Sequence, residues 1–387
     1  MKIDKEILKM IYLDNAATSF PKPLEVYDEV YRCMKAYCAN PGRGSHEMAI
    51  ISGEAVLDAR ETIGNFLGIA DPLRLCFTKN ATEALNIAIK GILKENDHVI
   101  ISGMEHNSVV RPLKSLEIDR MIELTILECD KYGRIDPEDI KRSLRPSTKL
   151  IVCTMSSNVN GTIMPFEDIG KIASENGVIF LLDASQGIGS EYINASSAGF
   201  DMIAFPGHKG LMGPQGTGGL YVRDGIYLQT IMEGGTGSNS ENMFQPDFMP
   251  DRLESGTINT PGIVGLKYGV EYINTIGINT VRDHKHMLIK NLYDGISQFQ
   301  DVKIYSTVEV GSNSGIVAAN FGERDSNEIS YILNKNYNIA TRAGFHCAPL
   351  AHKTIGTLKR GVVRFSVGYF NTVEEIDCVI NALKEII

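Results

Sequence analysis

Short apolar runs alternate with longer segments of helical periodicity over the first two-thirds of the chain. The runs Leu75–Phe77, Val99–Ser102, Leu124–Leu127, Leu150–Met155, Val178–Leu182, Ile203–Phe205 and Gly219–Val222 read as strands. Several are continuously apolar, as expected of strands covered on both faces. Between some of them lie helical patterns, at Ala81–Leu93, Asn107–Leu116, Pro137–Leu144 and Phe166–Asn176. This alternation predicts an α/β fold whose large domain is a mostly parallel seven-stranded sheet covered by helices. Past about Gly262 the texture changes. One long helical pattern spans about Pro261–Phe299, then come shorter strands and a final helix near Val373–Ile386. That texture predicts a smaller α+β C-terminal domain. The expected division is 15–262 and 263–387, with residues 1–14 left open as a further part of the small domain. Two domains suit 387 residues at roughly 150 per domain. The intervening Gly234–Thr260 stretch is polar and Gly-rich, and long loops of that kind are usually functional or mobile.

Charge narrows the function classes. Lys and Arg total 38 against 47 Asp and Glu, a net −9, with no basic block. Such a chain is a poor binder of nucleic acid or of a membrane surface, so neither is expected as a partner. No apolar run approaches membrane-spanning length, and charges interrupt the first ten residues, so a cytoplasmic location is expected. The seven cysteines include no CxxC; Cys76 and Cys153 lie in apolar strand-like runs and read as buried hydrophobes. Reduced thiols are expected rather than a disulfide framework.

Four constellations carry candidate chemistry. Asp183 ends the run GVIFLLD, at the strand end that faces the ligand crevice in a parallel sheet; it reads as a ligand contact or as a turn aspartate. Lys209 lies 26 residues later (209 − 183) in FPGHKGLMGPQGTGG, about one strand–crossover unit away, so both emerge at one sheet edge. A cofactor with a carbonyl at one end and a ring nitrogen at the other uses both residues, and pyridoxal phosphate is such a cofactor. Next, Asn80, Ala81 and Thr82 start a helix, where free N–H groups suit a phosphate; ordinary N-capping is the alternative. Walker and GxGxxG loops are absent.

The third is Cys347, in TRAGFHCAPLAHKTIG. Arg342, His346, His352 and Lys353 are read as nearby positive potential that favours thiolate; a loop cysteine without a role is the alternative. The histidines do not complete a tetrahedral set, so no metal is expected. His284 and His286 read as a solvated helix face. The fourth is Arg364, inside an apolar strand, which calls for a substrate carboxylate or an internal salt bridge.

At this point the chain resembles the cysteine desulfurases, in the class V aminotransferase group of pyridoxal-phosphate enzymes with fold type I. The matching segments run in order through YLDNAATSFPKP, NPGRGSHEMA, TKNATEALNIAIKG, MEHNSVVRP, SSNVNGTIMPFEDI, LLDASQG, FPGHKGLMGPQGTGGL, RLESGTINTPGIVGL, RAGFHCAP and VRFSVGYFNTVEEID. The RAGFHCAP form resembles the group II branch, which includes selenocysteine-lyase-like members. The resemblance implies L-cysteine, or selenocysteine, as substrate and alanine as product, with sulfur held on the enzyme as a persulfide. It implies Lys209 as the Schiff-base lysine, Asp183 on the pyridine nitrogen, and Gln186 and Asn158 at the ring hydroxyl. His106 would stack on the ring and help move protons, and Thr82, Ala81 and His208 would line the phosphate. Thr257 would reach the phosphate of a neighbouring subunit, which implies a homodimer. Arg364, with Asn158 nearby, would grip the substrate carboxylate; Arg342 and Arg43 would line the approach, and Cys347 would be the nucleophile. A sulfur-acceptor protein and a place in iron–sulfur cluster assembly belong to the same expectation. Pro206, Ala81 and Phe345 depart from the pattern, where relatives often carry Ser, a hydroxyl residue and His. The alternatives are another class V reaction, such as a kynureninase-like or C–S lyase activity, or a non-catalytic sulfur-transfer scaffold.

Overall fold

The computed structural model describes residues 10–42, 44–119, 121–196 and 199–387. In chain order the first part contains β1 (Ile11–Tyr12), α1 (Leu24–Ala36), α2 (Glu47–Phe66), β2 (Leu75–Thr78), α3 (Ala81–Ile92), β3 (Asp97–Ser102), α4 (Asn107–Ile118) and β4 (Ile122–Leu127). There follow α5 (Pro137–Ser143), β5 (Thr148–Thr154), α6 (Phe166–Glu175), β6 (Ile179–Asp183), β7 (Met202–Pro206), β8 (Gly218–Val222) and α7 (Thr260–Ile276). The remainder is α8 (Ile278–Ile296), β9 (Val302–Ile304), β10 (Ile316–Phe321), α9 (Ser326–Tyr337), β11 (Ile339–Ala340), β12 (Arg342–Gly344), α10 (Pro349–Thr354), β13 (Val362–Ser366) and α11 (Val373–Ile386).

The expected sheet forms with seven strands in the order β2-β8-β7-β6-β5-β3-β4. Every pairing is parallel except those of β8, which runs antiparallel to both β7 and β2. Neighbouring residues of a strand bury to opposite sides. Val99 and Ile101 pack with α3 and α4, whereas Ile100 packs in the cluster that holds α2 and α6. Two-sided burial explains why these strands are apolar runs rather than alternating patterns. The chain steps outward from β3 to β4, then returns to place β5 on the other side of β3. A crevice therefore opens at the carboxyl ends of β3 and β5, where such sheets bind ligands.

The smaller sheet, β12-β13-β10-β9, is antiparallel and packs through Val317, Ala319, Val363 and Phe365 against α8, α9 and α11. The N-terminal segment joins this unit: β1 pairs with β11, and Leu13 lies in the same cluster. The long helical pattern expected over Pro261–Phe299 is two helices. Gly277, at φ 87°, separates α7 from α8, because a left-handed residue ends a helix and glycine adopts that conformation freely. Helix α7 buries Ile263, Leu266, Val270 and Ile273 in a cluster of the large sheet, whereas α8 buries Leu288, Ile289, Leu292 and Ile296 against the small one. His284 and His286 are not a solvated face. They bond to the carbonyls of Asn371 and Val308 and tie α8 to the segments around it.

One buried ion pair joins α2 to the long loop before α7. Arg60 donates from Nη1 and Nη2 to the two oxygens of Glu254, at 2.7 and 2.9 Å, and Glu254 also accepts the Phe77 N–H. Both side chains are less than a tenth exposed. Removing one partner strands a buried charge, so Glu254→Ala should cost about 3–5 kcal/mol. The check is a denaturant or thermal melt against wild type; a change below about 1 kcal/mol, the scale of a surface pair, would contradict the assignment.

Candidate active site

The crevice holds a cavity of about 80 Å³ lined by, among others, Thr82, His106, Asn158, Asp183, Gln186, His208 and Lys209. Each reaches it from the end of an element. Asp183 closes β6 and is 1% exposed; its Oδ1 accepts the Ser185 N–H at 2.9 Å. Lys209 follows β7 in a turn held by close backbone approach: a Cβ at Gly210 would run into the Ile188 carbonyl. Burial pulls the Lys209 amine down to about 8, with Asp183 opposing the shift and Arg364 and Arg342 adding to it.

His106 caps α4, and its Nδ1 accepts the Ser108 N–H at 3.1 Å. Burial holds this ring down to about 4, so it is neutral near pH 7 and its remaining proton sits on Nε2. Ser108 Oγ lies 2.8 Å from Thr82 Oγ1, which joins the starts of α3 and α4 at one rim. Asn80 does N-cap α3, accepting the Glu83 N–H, and Ala81 and Thr82 still face the cavity. His208 presents a buried Nδ1 with no partner, and burial lowers that ring to about 4 as well. Pro206 lines the same cavity.

Arg364 is 1% exposed on β13, directly opposite Arg342 on β12. Of the two readings left open by the sequence, the intramolecular one is present: Nη2 donates to Asp14 Oδ1 at 2.6 Å. Nη1 donates to the Asn158 carbonyl at 2.9 Å, while Nε is buried without a partner.

Cys347 is exposed and anchored through its backbone. Its carbonyl accepts the N–H of Asn107, the first residue of α4, at 2.9 Å. The preceding His346 carbonyl accepts Asn158 Nδ2 at 2.7 Å. Both His346 and Cys347 are left-handed, at φ 48° and 57°, a conformation that costs free energy for residues with a Cβ. The positive potential expected from His346 and His352 is corrected by the structure. Both rings are buried, which pushes them down to about 2 and about 4, so neither carries charge near pH 7. Desolvation outweighs proximity here.

Two expected residues stand apart. Thr257 is exposed on the rim of a separate cavity with Lys79, Glu83 and Asn259. Arg43 lies outside the described residues. Three residues escaped the sequence reading. Asp14 pairs with Arg364. Lys22 donates from Nζ to the His208 carbonyl at 2.9 Å and to Ser19 Oγ at 2.7 Å. Glu105 accepts Ser102 Oγ and the Thr154 N–H, and its buried carboxyl is pushed up to about 8. The signal for all three was their place inside matched motifs, since neither periodicity nor charge marks them. Among the described residues no group of three or more His, Cys, Asp or Glu side chains is placed to hold a metal ion.

Residues 11–379 match the family described as Aminotransferase class-V. The chain belongs to that family. Among curated relatives of this class V chain, a probable cysteine desulfurase from Methanothermobacter thermautotrophicus is 33% identical over 97% of this chain and 94% of that protein. One from Pyrococcus abyssi, also named a probable cysteine desulfurase, is 30% identical over 100% of this chain and 98% of its own. The apo structure of a cysteine desulfurase from Thermococcus onnurineus NA1 has the same fold. It superposes with a TM-score of 0.92 at 30% identity, covering 100% of this chain and 98% of that one.

The lowered Lys209 amine is directly testable. In the ligand-free protein, acylation of Lys209 followed by peptide mass mapping should reach half its maximal rate near pH 8, where the free amine becomes half-populated. A midpoint near that of an ordinary lysine, about 10.4, would contradict a buried site.

Proposed function

We propose that this protein is a pyridoxal-phosphate-dependent cysteine desulfurase, converting L-cysteine to L-alanine and leaving the sulfur on Cys347 as a persulfide. One observation carries the reading. The loop bearing an exposed thiol is hydrogen-bonded to Asn158, which lines the cavity holding Lys209 and Asp183, and to Asn107, which sits between the lining residues His106 and Ser108. The names of the relatives support the same activity.

The residues present fit the cofactor. A lysine amine lowered to about 8 supplies free amine near neutral pH. Asp183 offers a buried carboxylate for a ring nitrogen. The unpartnered His208 Nδ1, with Thr82 and the start of α3, offers donors for a phosphate. Gln186, Asn158 and the face of His106 complete the proposed holders. When bound, the cofactor serves as an electron sink for the substrate's α-carbon.

The chain's own residues then have separable tasks. Arg364, backed by Arg342, holds the substrate carboxylate. Lys209 takes the α-proton, which its lowered basicity suits. Neutral His106, with its proton on Nε2, donates a hydrogen bond without adding charge. Cys347 attacks the substrate sulfur as thiolate: the new S–S bond forms as the Cβ–S bond breaks, and the released electron pair remains on carbon. Protonation of that carbon leaves alanine, so L-cysteine and one thiol become L-alanine and one persulfide. The strained backbone at His346 and Cys347 suits a loop that moves between the cavity and an acceptor protein. Selenocysteine is the proposed second substrate. Exposed Thr257 is proposed to serve the phosphate of a partner subunit in a homodimer. The cytoplasm is the proposed compartment, in keeping with seven free cysteines and no described helix long and apolar enough to cross a membrane.

Lys209→Ala should abolish alanine formation from L-cysteine. Cys347→Ala should lower sulfide release at least about 10³-fold while cofactor absorbance is retained. The assay is alanine and sulfide scored side by side. Full turnover by Cys347→Ala would remove the nucleophile assignment and favour a thiol-independent lyase reaction.

A further inference from the structure

The Arg364 guanidinium is engaged within the chain before any substrate reaches it. Asp14 Oδ1 holds Nη2 at 2.6 Å and the Asn158 carbonyl holds Nη1 at 2.9 Å, whereas Nε is buried and unpartnered. A buried N–H without an acceptor is costly, so the Nε edge favours an acceptor oxygen. A carboxylate binds a guanidinium best with two oxygens on one edge, here Nε with Nη2. Asp14 therefore covers half of the edge that a substrate carboxylate needs. The two partners differ in exposure: the Arg364 side chain is 1% exposed and that of Asp14 is 22% exposed. Asp14 can turn toward water while Arg364 stays fixed.

We propose that Asp14 is a specificity-determining residue that occupies Nη2 of Arg364 as a stand-in for the substrate carboxylate and yields it when a carboxylate arrives. The inference rests on the reading of Arg364 as the carboxylate anchor. Asp14 also begins a strap with a second attachment. The Ala16 carbonyl accepts Gln186 Nε2 at 2.8 Å, Thr18 Oγ1 and the Ser19 N–H donate to the His208 carbonyl, and Ser19 Oγ donates to the Lys209 carbonyl at 2.9 Å. Exchange at Arg364 leaves this strap in place, because the backbone N–H groups of Asn15 and Ala16 stay bonded to the Ser366 carbonyl and hydroxyl.

The test uses propionate, which has the carboxylate but no amine or thiol, titrated calorimetrically into the holoenzyme. Asp14→Asn removes the competing charge and should bind propionate about fivefold more tightly than wild type, the scale of a partly exposed ion pair. Asp14→Glu keeps the charge and should not. Equal or weaker binding by Asp14→Asn overturns the proposal. Should that variant not fold, a crystal of wild type with propionate bound decides: Asp14 off Nη2 supports the exchange, and Asp14 still paired beside bound propionate overturns it. Arg364→Gln separates the two failures. If it binds propionate as wild type does, the anchor reading itself is wrong; if it loses propionate while Asp14→Asn gains nothing, only the role of Asp14 falls.

Discussion

An amine taken out of water is the constraint on which the rest of this site depends. Lys209 sits where burial disfavours its charged form, opposite the buried carboxylate of Asp183 and within the field of Arg342 and Arg364. The two arginines push the amine toward neutrality and Asp183 pulls it back. The result lies near 8, between an inert ammonium and a base too weak to take a proton. That balance needs Asp183 at the end of β6, Lys209 just past β7, and both arginines on neighbouring strands of the smaller sheet. Two layers of structure therefore meet at one side chain.

The N-terminal segment makes that meeting rigid. It enters as a strand of the smaller unit, crosses to Arg364 through Asp14, and then lays Thr18, Ser19 and Lys22 against the carbonyl of His208. Arg364 on β13 and the turn of Lys209 are thus connected through one short segment of chain. The thiol loop is tied from the other side, by α4 and by Asn158. Arg364, Lys209 and Cys347 each hang on a different element, and hydrogen bonds to the backbone set the spacing among them.

Much of this was legible in the residues. Two-sided apolar runs such as Leu150–Met155 marked the buried strands, and Asp183 at the end of β6 and Lys209 just past β7 emerge at one sheet edge as expected. Local pattern failed where geometry turns on one backbone angle: Gly277 splits a continuous helical pattern because φ 87° ends the helix, and periodicity does not report φ. It failed again where charge depends on burial. His346 and His352 look cationic in TRAGFHCAP and its sequel, yet desolvation leaves both neutral. Asp14 was invisible for a third reason. Its partner lies 350 residues away, a distance that only the tertiary fold closes.

Sulfur transfer to the thiol of Cys347, from a substrate activated in the Lys209–Asp183 cavity, is the step on which the proposed activity turns. Peptide mass mapping of the holoenzyme, quenched after brief exposure to L-cysteine without reductant, tests it most directly. One added sulfur, about 32 Da, is expected on the peptide that contains Cys347, accumulating with alanine in equal amount. Alanine formed with no added sulfur at Cys347, or with the sulfur first on another cysteine, would contradict it.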